Sequence, residues 1–256
     1  YKEHPYDISP PTDDKPFFFH FFKWKQIPGI LRNFGKTWQP FGGSGYLVLV
    51  VLLLIALLAS GLLIILPLFF RRQSMASPLR ERIFLYFSLL GLGYLFVEIP
   101  LMQRFILFLG HPIYAFATVL FALLIFSGIG SLFSHHFSLR KTMPSLGGAI
   151  LIYLFLLPAL LSLLLGQSLF LRILSAAFIL APLGFLMGIP FPRGIALIGR
   201  AAPSLIPWAW GVNGCASVLS SILAAMLALS WGFPCVLGLA SIAYLLAWVV
   251  IHPLAK

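Results

Sequence analysis

The stretch YLVLVVLLLIALLASGLLIILPLFF, Tyr46–Phe70, contains no charged residue and stops at Arg71-Arg72. A bilayer's hydrocarbon core is covered by about 20 apolar residues in a helix, and this run is long enough. With no water to bond, a backbone in that layer must be a helix or part of a closed barrel. Barrel strands alternate apolar and polar residues, and Leu47 to Leu66 does not alternate. The stretch reads as a transmembrane helix.

The remainder of the chain repeats the pattern. Apolar residues make up 61% and charged residues 9%, against about 25% charged in a soluble domain. Further spans are expected near Ile83–Leu109, Pro112–Phe133, Gly147–Leu165, Leu169–Ile189, Trp208–Leu229 and Phe233–Ile251. The second of the seven is expected to be interrupted at Glu98-Ile99-Pro100. The fold class is therefore all-α, a polytopic bundle of about seven spans over residues 45–256, in contact with lipid. A multi-pass protein of the cell's inner membrane is expected.

The net charge of +11 does not point to nucleic acid. Arg71, Arg72, Arg80, Arg82, Arg140, Lys141, Arg193, Arg200 and Lys256 fall on one side of a seven-span arrangement, where the positive-inside rule accounts for them and places them in the cytoplasm. The opposite short loops hold little beyond Arg104 and Arg172, although Lys2, Lys15, Lys23, Lys25, Arg32 and Lys36 in the N-terminal segment pull the other way. Cys215 and Cys235 are too sparse for a disulfide framework or zinc site and read as packing residues. No metal site is expected, since the adjacent His135 and His136 do not supply a ligand set.

Residues 1–44 differ in composition. They carry Glu3, Asp7, Asp13 and Asp14 and the run Phe17 to Lys25, whose aromatics and lysines suit the headgroup layer. Lying on the membrane and packing on a preceding domain are equally good readings. The start at Tyr1 without a methionine suggests the C-terminal part of a longer protein.

Within the spans the one carboxylate is Glu98, with Gln103 and Arg104 following and Pro100 beside it. Two readings stand: a proton or cation site at a broken helix, or a carboxylate neutralised by a nearby arginine. His111, before Pro112, reads as a helix cap, and Trp208 and Trp210 as interface anchors. Asn213 could cap a helix or bond a neighbour. The small residues from Gly214 to Ala225, and Ser127-Gly128 with Gly130-Ser131, read as close-packing faces first, with the lining of a pathway as the alternative. Leu92-Gly93-Tyr94-Leu95 before Ile99-Pro100 is echoed by Leu183-Gly184-Phe185-Leu186 before Ile189-Pro190. Chance similarity of Leu/Gly-rich helices accounts for this, and the other reading is that spans two to four and five to seven are inverted repeats.

Several motifs in order also carry a family likeness: Thr12-Asp13-Asp14-Lys15-Pro16-Phe17-Phe18-Phe19, Gly93-Tyr94-Leu95-Phe96-Val97-Glu98-Ile99-Pro100, Gly110-His111-Pro112, Met187-Gly188-Ile189-Pro190-Phe191-Pro192 and Trp210-Gly211-Val212-Asn213-Gly214. Along nearly its whole length the chain resembles bacterial integral-membrane spermidine synthase-like proteins. In that family, membrane spans accompany a Rossmann-like domain, and the resemblance implies that Thr12 to Pro16 is the tail of such a domain. This chain has no glycine-rich turn after a strand to hold an adenosyl cofactor, so no catalytic or cofactor-binding residue transfers, and an S-adenosyl-type cofactor would need an upstream domain. Asp13 and Asp14 fit a surface turn or the border of a cleft. The implied role is a membrane domain that anchors or serves an aminopropyl- or methyl-transferring domain. The residues also allow a transporter, with a mid-membrane cavity lined by Glu98 and Asn213, or a structural subunit of a larger membrane complex.

Overall fold

The computed structural model describes residues 10–17, 44–62, 66 and 78–254. Their regular structure is helical: α1 (Ser44–Ser60), α2 (Pro78–Leu109), α3 (Pro112–Leu132), α4 (Leu139–Leu164), α5 (Leu169–Met187), α6 (Pro190–Ala201), α7 (Ile206–Trp231) and α8 (Phe233–Ile251). Among the described residues the only β feature is an isolated bridge between Thr12 and Lys15.

Six segments are long and apolar enough to cross a bilayer: Leu79–Leu109, Pro112–Leu132, Leu139–Leu164, Leu169–Arg200, Pro203–Trp231 and Phe233–Ile251. The span expected at Tyr46–Phe70 is represented by α1, which is apolar but shorter; residues 63–65 and 67–70 lie outside the described set. The aromatic run after Phe17 lies outside it as well. Side chains on the outside of the bundle are large and apolar, with Leu163 81% and Phe155 79% exposed. Such a surface is at home in lipid, so this is a multi-pass membrane protein.

Local signals set the turns. Gly110 adopts φ +76°, a left-handed conformation that glycine reaches without strain, and frees the chain to turn from α2 into α3. The His111 ring caps α3, with Nδ1 accepting from the Ile113 N–H at 3.3 Å, and Pro112 occupies the first turn. Gly232 at φ +84° plays the corresponding part between α7 and α8.

The expected interruption at Pro100 is absent: α2 runs unbroken through it. An interior proline costs a helix about 3 kcal/mol, but ending the helix inside hydrocarbon would orphan several backbone groups at several kcal/mol each. Continuing is the cheaper outcome. At the echoed position the chain does break. There Gly188 ends α5, and two prolines, Pro190 and Pro192, open the amphipathic α6.

Helix α2 is the centre of the bundle, packed most extensively on α7 and α8, while α3 packs on α5 and α4 on α8. Helix α2 thus lies on α7, and α5 on α3. Hydrocarbon supplies no hydrophobic drive between helices, so close packing and hydrogen bonds must join them. Ser220 Oγ donates to Leu92 O at 2.8 Å, Ser241 Oγ to Gly147 O at 2.9 Å, Tyr86 Oη to Pro190 O at 2.8 Å, and Tyr153 Oη to Ile179 O. On the α3–α5 contact the backbones nearly touch: a Cβ on Gly130 would collide with the Phe185 carbonyl, and one on Gly188 with that of Ser127.

Gly130→Ala should therefore lower stability by about 1–3 kcal/mol through overpacking. Gly148→Ala, where an added Cβ meets nothing within 4 Å, should leave it unchanged or slightly raised. Thermal unfolding of the two variants in the same detergent checks the difference.

Candidate functional site

The break between α5 and α6 is held on two sides. Tyr86 on α2 donates to the Pro190 carbonyl at 2.8 Å. Phe191 sits edge-on to Phe87 at 5.3 Å and to Trp210 at 4.7 Å. Asn213 on α7 ties back to α2, its Nδ2 donating to Phe87 O at 3.1 Å. With the ends of the break fixed, the helices part just beside it.

The gap is a pocket of about 500 Å³. Leu90, Gly91, Tyr94 and Leu95 line it from α2; Leu124, Ser127, Gly128 and Ser131 from α3; Met187 and Gly188 from the end of α5; Pro190, Phe191 and Pro192 from α6; Asn213 and Ser217 from α7; and Tyr244 from α8. Its walls are apolar with a few convergent polar groups, the usual make-up of a small-molecule site.

Several of the polar donors are already engaged. Ser127 Oγ donates to Leu124 O at 3.2 Å, Ser217 Oγ to Gly91 O at 3.4 Å, and Asn213 Nδ2 to Phe87 O. The oxygen lone pairs of those side chains remain as acceptors.

Glu98 lies one turn beyond Tyr94 on the same face of α2. It makes no hydrogen bond or ion pair among the described residues. The expectation that a nearby arginine neutralises it is overturned. Arg104 points elsewhere, its Nη2 donating to Asp14 Oδ1 at 2.7 Å. Helical geometry is the reason: six residues turn the face by about 240°, and Gln103, five residues on, is also off the Glu98 face. Gln103 is exposed.

The expected cavity lined by Glu98 and Asn213 is likewise corrected. Asn213 lines the pocket and Glu98 does not; it lies one helical turn beyond the lining residue Tyr94. Counting about 1.5 Å per residue, Asn213 is roughly 11 Å from the start of α7, so the pocket lies toward one end of the bundle. At that same end are Arg80, Arg82, Arg140, Lys141, Arg193 and Arg200.

The opposite end receives residues 10–17. Thr12 to Lys15 form a turn, Asp14 O accepts from the Phe233 N–H at 2.9 Å, and Phe17 packs on Phe233 at 5.6 Å between ring centroids. Arg104 is 9% and Asp14 57% exposed. Arg172, also at this end, donates to Phe108 O at 2.7 Å. Asp14 is thus a fastening for the turn.

His111 caps α3 as its position before Pro112 suggests. Trp210 is largely exposed and packs on Phe191, while Trp208 lies under the Arg80 guanidinium at 4.7 Å. His135 and His136 stand on an exposed 3₁₀ turn, and no group of three metal-ligating side chains occurs among the described residues. Tyr94 and Tyr244 are pocket residues that the sequence did not single out. Tyrosine in a Leu/Phe-rich span was the available signal. No protein-family model, curated protein or solved structure matches the chain.

Asp14→Ala should destabilise more than Arg104→Met. The first leaves a buried guanidinium without its acceptor, at about 1–3 kcal/mol. The second removes the need for one, and a half-exposed pair contributes only about 0–1 kcal/mol. A double-mutant cycle on thermal stability checks this order.

Proposed function

We propose that the chain is a ligand-binding membrane domain of transporter-like design, holding a small amphiphile between the α2–α7 and α3–α5 pairs. The pocket beside the α5–α6 break is the observation that carries this reading. Within a membrane domain, irregular backbone persists where it is buried in protein or lines a cavity, and transporters place their sites where repeats meet and helices are discontinuous. Arg80, Arg82, Arg140, Lys141, Arg193 and Arg200 gather at the pocket's end, which the positive-inside rule assigns to the cytoplasm.

The resemblance to spermidine synthase-like proteins supplies a second reading, in which the bundle anchors or serves an aminopropyl- or methyl-transferring domain. What favours it is the fastening of residues 10–17 onto α2 and α8, which would hold a preceding domain close to the membrane. This reading requires the Asp14 end to face the compartment that holds an adenosyl cofactor. The distribution of basic residues favours the opposite orientation.

Two labelling experiments follow, in a Cys215→Ala/Cys235→Ala background. Ser131→Cys and Ser217→Cys should react with a membrane-impermeant thiol reagent in opened membranes, while Val119→Cys, buried in α3, should not; equal protection of all three rejects a water-accessible pocket. In intact cells, reaction at His111→Cys and not at Arg140→Cys places residues 10–17 outside and removes the transferase reading. The reverse pattern supports it.

A further inference from the structure

We infer that the pocket takes an organic monocation, a single ammonium group on an apolar body, with Glu98 balancing its charge and the body lying between Met187, Phe191 and Tyr94. The inference rests on the pocket reading above and names its ligand class.

Three observations converge on it. The first is the isolation of Glu98. An ionisable side chain within a span is costly and, as a rule, paired or functional, and this one has no partner among the described residues. The arginine that sequence proximity offers is bound to Asp14. A carboxylate one helical turn from the pocket residue Tyr94, on the same face of α2, is a counter-charge awaiting a cation.

The second is the sense of the pocket's hydrogen bonds. Ser127, Ser217 and the Asn213 amide give their hydrogens to backbone carbonyls. Their oxygens remain as acceptors toward a ligand, beside the Tyr94 and Tyr244 hydroxyls, which can accept as well as donate, and an ammonium brings only donors. Among the described residues no cation lines the pocket. Arg193 follows Pro192 in sequence but is not part of the wall.

The third is the aromatic lining. Phe191, Tyr94 and Tyr244 present rings to the space, and ring faces attract cations most strongly where water is scarce. The remaining wall is apolar, which suits a hydrocarbon body. It also limits the charge: one carboxylate balances one ammonium, and a second would stand unpaired in an apolar surround at considerable cost. Monocations are therefore selected over di- and polyamines. The ammonium could belong to a free amine or to a lipid headgroup, and the test separates these sources.

The test compares three probes sharing one body, benzylammonium, benzyl alcohol and benzoate, titrated by calorimetry into the purified chain in maltoside micelles, with empty micelles subtracted. Benzylammonium should bind at least about tenfold more tightly than either of the others, the effect of one charge-assisted hydrogen bond. 1,4-Diaminobutane should not bind detectably. Glu98→Gln should level the three probes while leaving benzyl alcohol unchanged. Gly128→Leu, whose added Cβ enters open space, should fill the pocket and remove binding of all three without unfolding the chain. It therefore keeps the test decisive if Glu98→Gln does not fold. Displacement of benzylammonium by added phosphatidylethanolamine identifies a headgroup as the source, and indifference to it identifies a free amine. Equal or tighter binding of benzyl alcohol or benzoate, each still blocked by Gly128→Leu, overturns the ammonium assignment and leaves the pocket reading standing. No binding by any probe, together with protection of Ser131→Cys and Ser217→Cys, overturns both.

Discussion

Hydrocarbon offers no hydrogen-bond partner, and nearly every feature of this bundle answers to that constraint. Backbone groups pair within helices, and polar side chains bond to carbonyls of the next helix, as Ser220 does to Leu92, Ser241 to Gly147 and Tyr86 to Pro190. The same constraint keeps α2 helical through Pro100. A local loss of about 3 kcal/mol is smaller than the loss from several backbone groups left bare in lipid. At Pro190 the balance reverses, because Gly188 and Pro192 weaken the helix on both sides and Tyr86 offers a donor to the Pro190 carbonyl. One dipeptide, Ile-Pro, therefore has two outcomes, set by what stands next to it in space.

The break and the pocket belong together. Gly188 lets α5 come against Ser127 of α3, and Gly130 lets α3 come against Phe185. That contact fixes the end of α5 close to α3, while the aromatic stack of Phe87, Phe191 and Trp210 holds the start of α6 toward α2 and α7. Between these two fixed contacts the helices cannot close completely. A gap with spare acceptors is the result, built on regular elements as a binding site calls for.

Much of this was legible from residue order. Spans follow from apolar length, the cap at His111 from Gly-His-Pro, and the close-packing faces of α3 and α7 from their small residues. Three things were not legible. Span length alone did not separate Pro100 from Pro190, because the difference lies in the flanking Gly188 and Pro192 and in the Tyr86 hydroxyl that reaches the Pro190 carbonyl. The Ser127–Ser131 face read as packing ahead of a pathway lining, and it is both: Gly130 packs while Ser127, Gly128 and Ser131 line the pocket, a division that depends on where α5 ends. Proximity in sequence suggested that Arg104 neutralises Glu98, whereas helical phase sends Arg104 to the far face, where Asp14 arrives from a remote segment. Phase could have been computed in advance; the arrival of Asp14 could not.

That separation has a physical consequence for Glu98. If Glu98 and Arg104 had shared a face, each would have answered the other's charge, and the pair would have been a fixed strut in α2. Instead the arginine is used to fasten residues 10–17 at one end of the helix. The carboxylate remains, without a described partner, on another face of the helix, one turn from the pocket residue Tyr94. Both groups lie on the same continuous helix, whose middle turns pack on α7 and α8. A ligand cation at Glu98 and the ion pair at Arg104 therefore act on a single rigid element. If that element shifts when the pocket fills, the fastening of Asp14 must either follow it or yield.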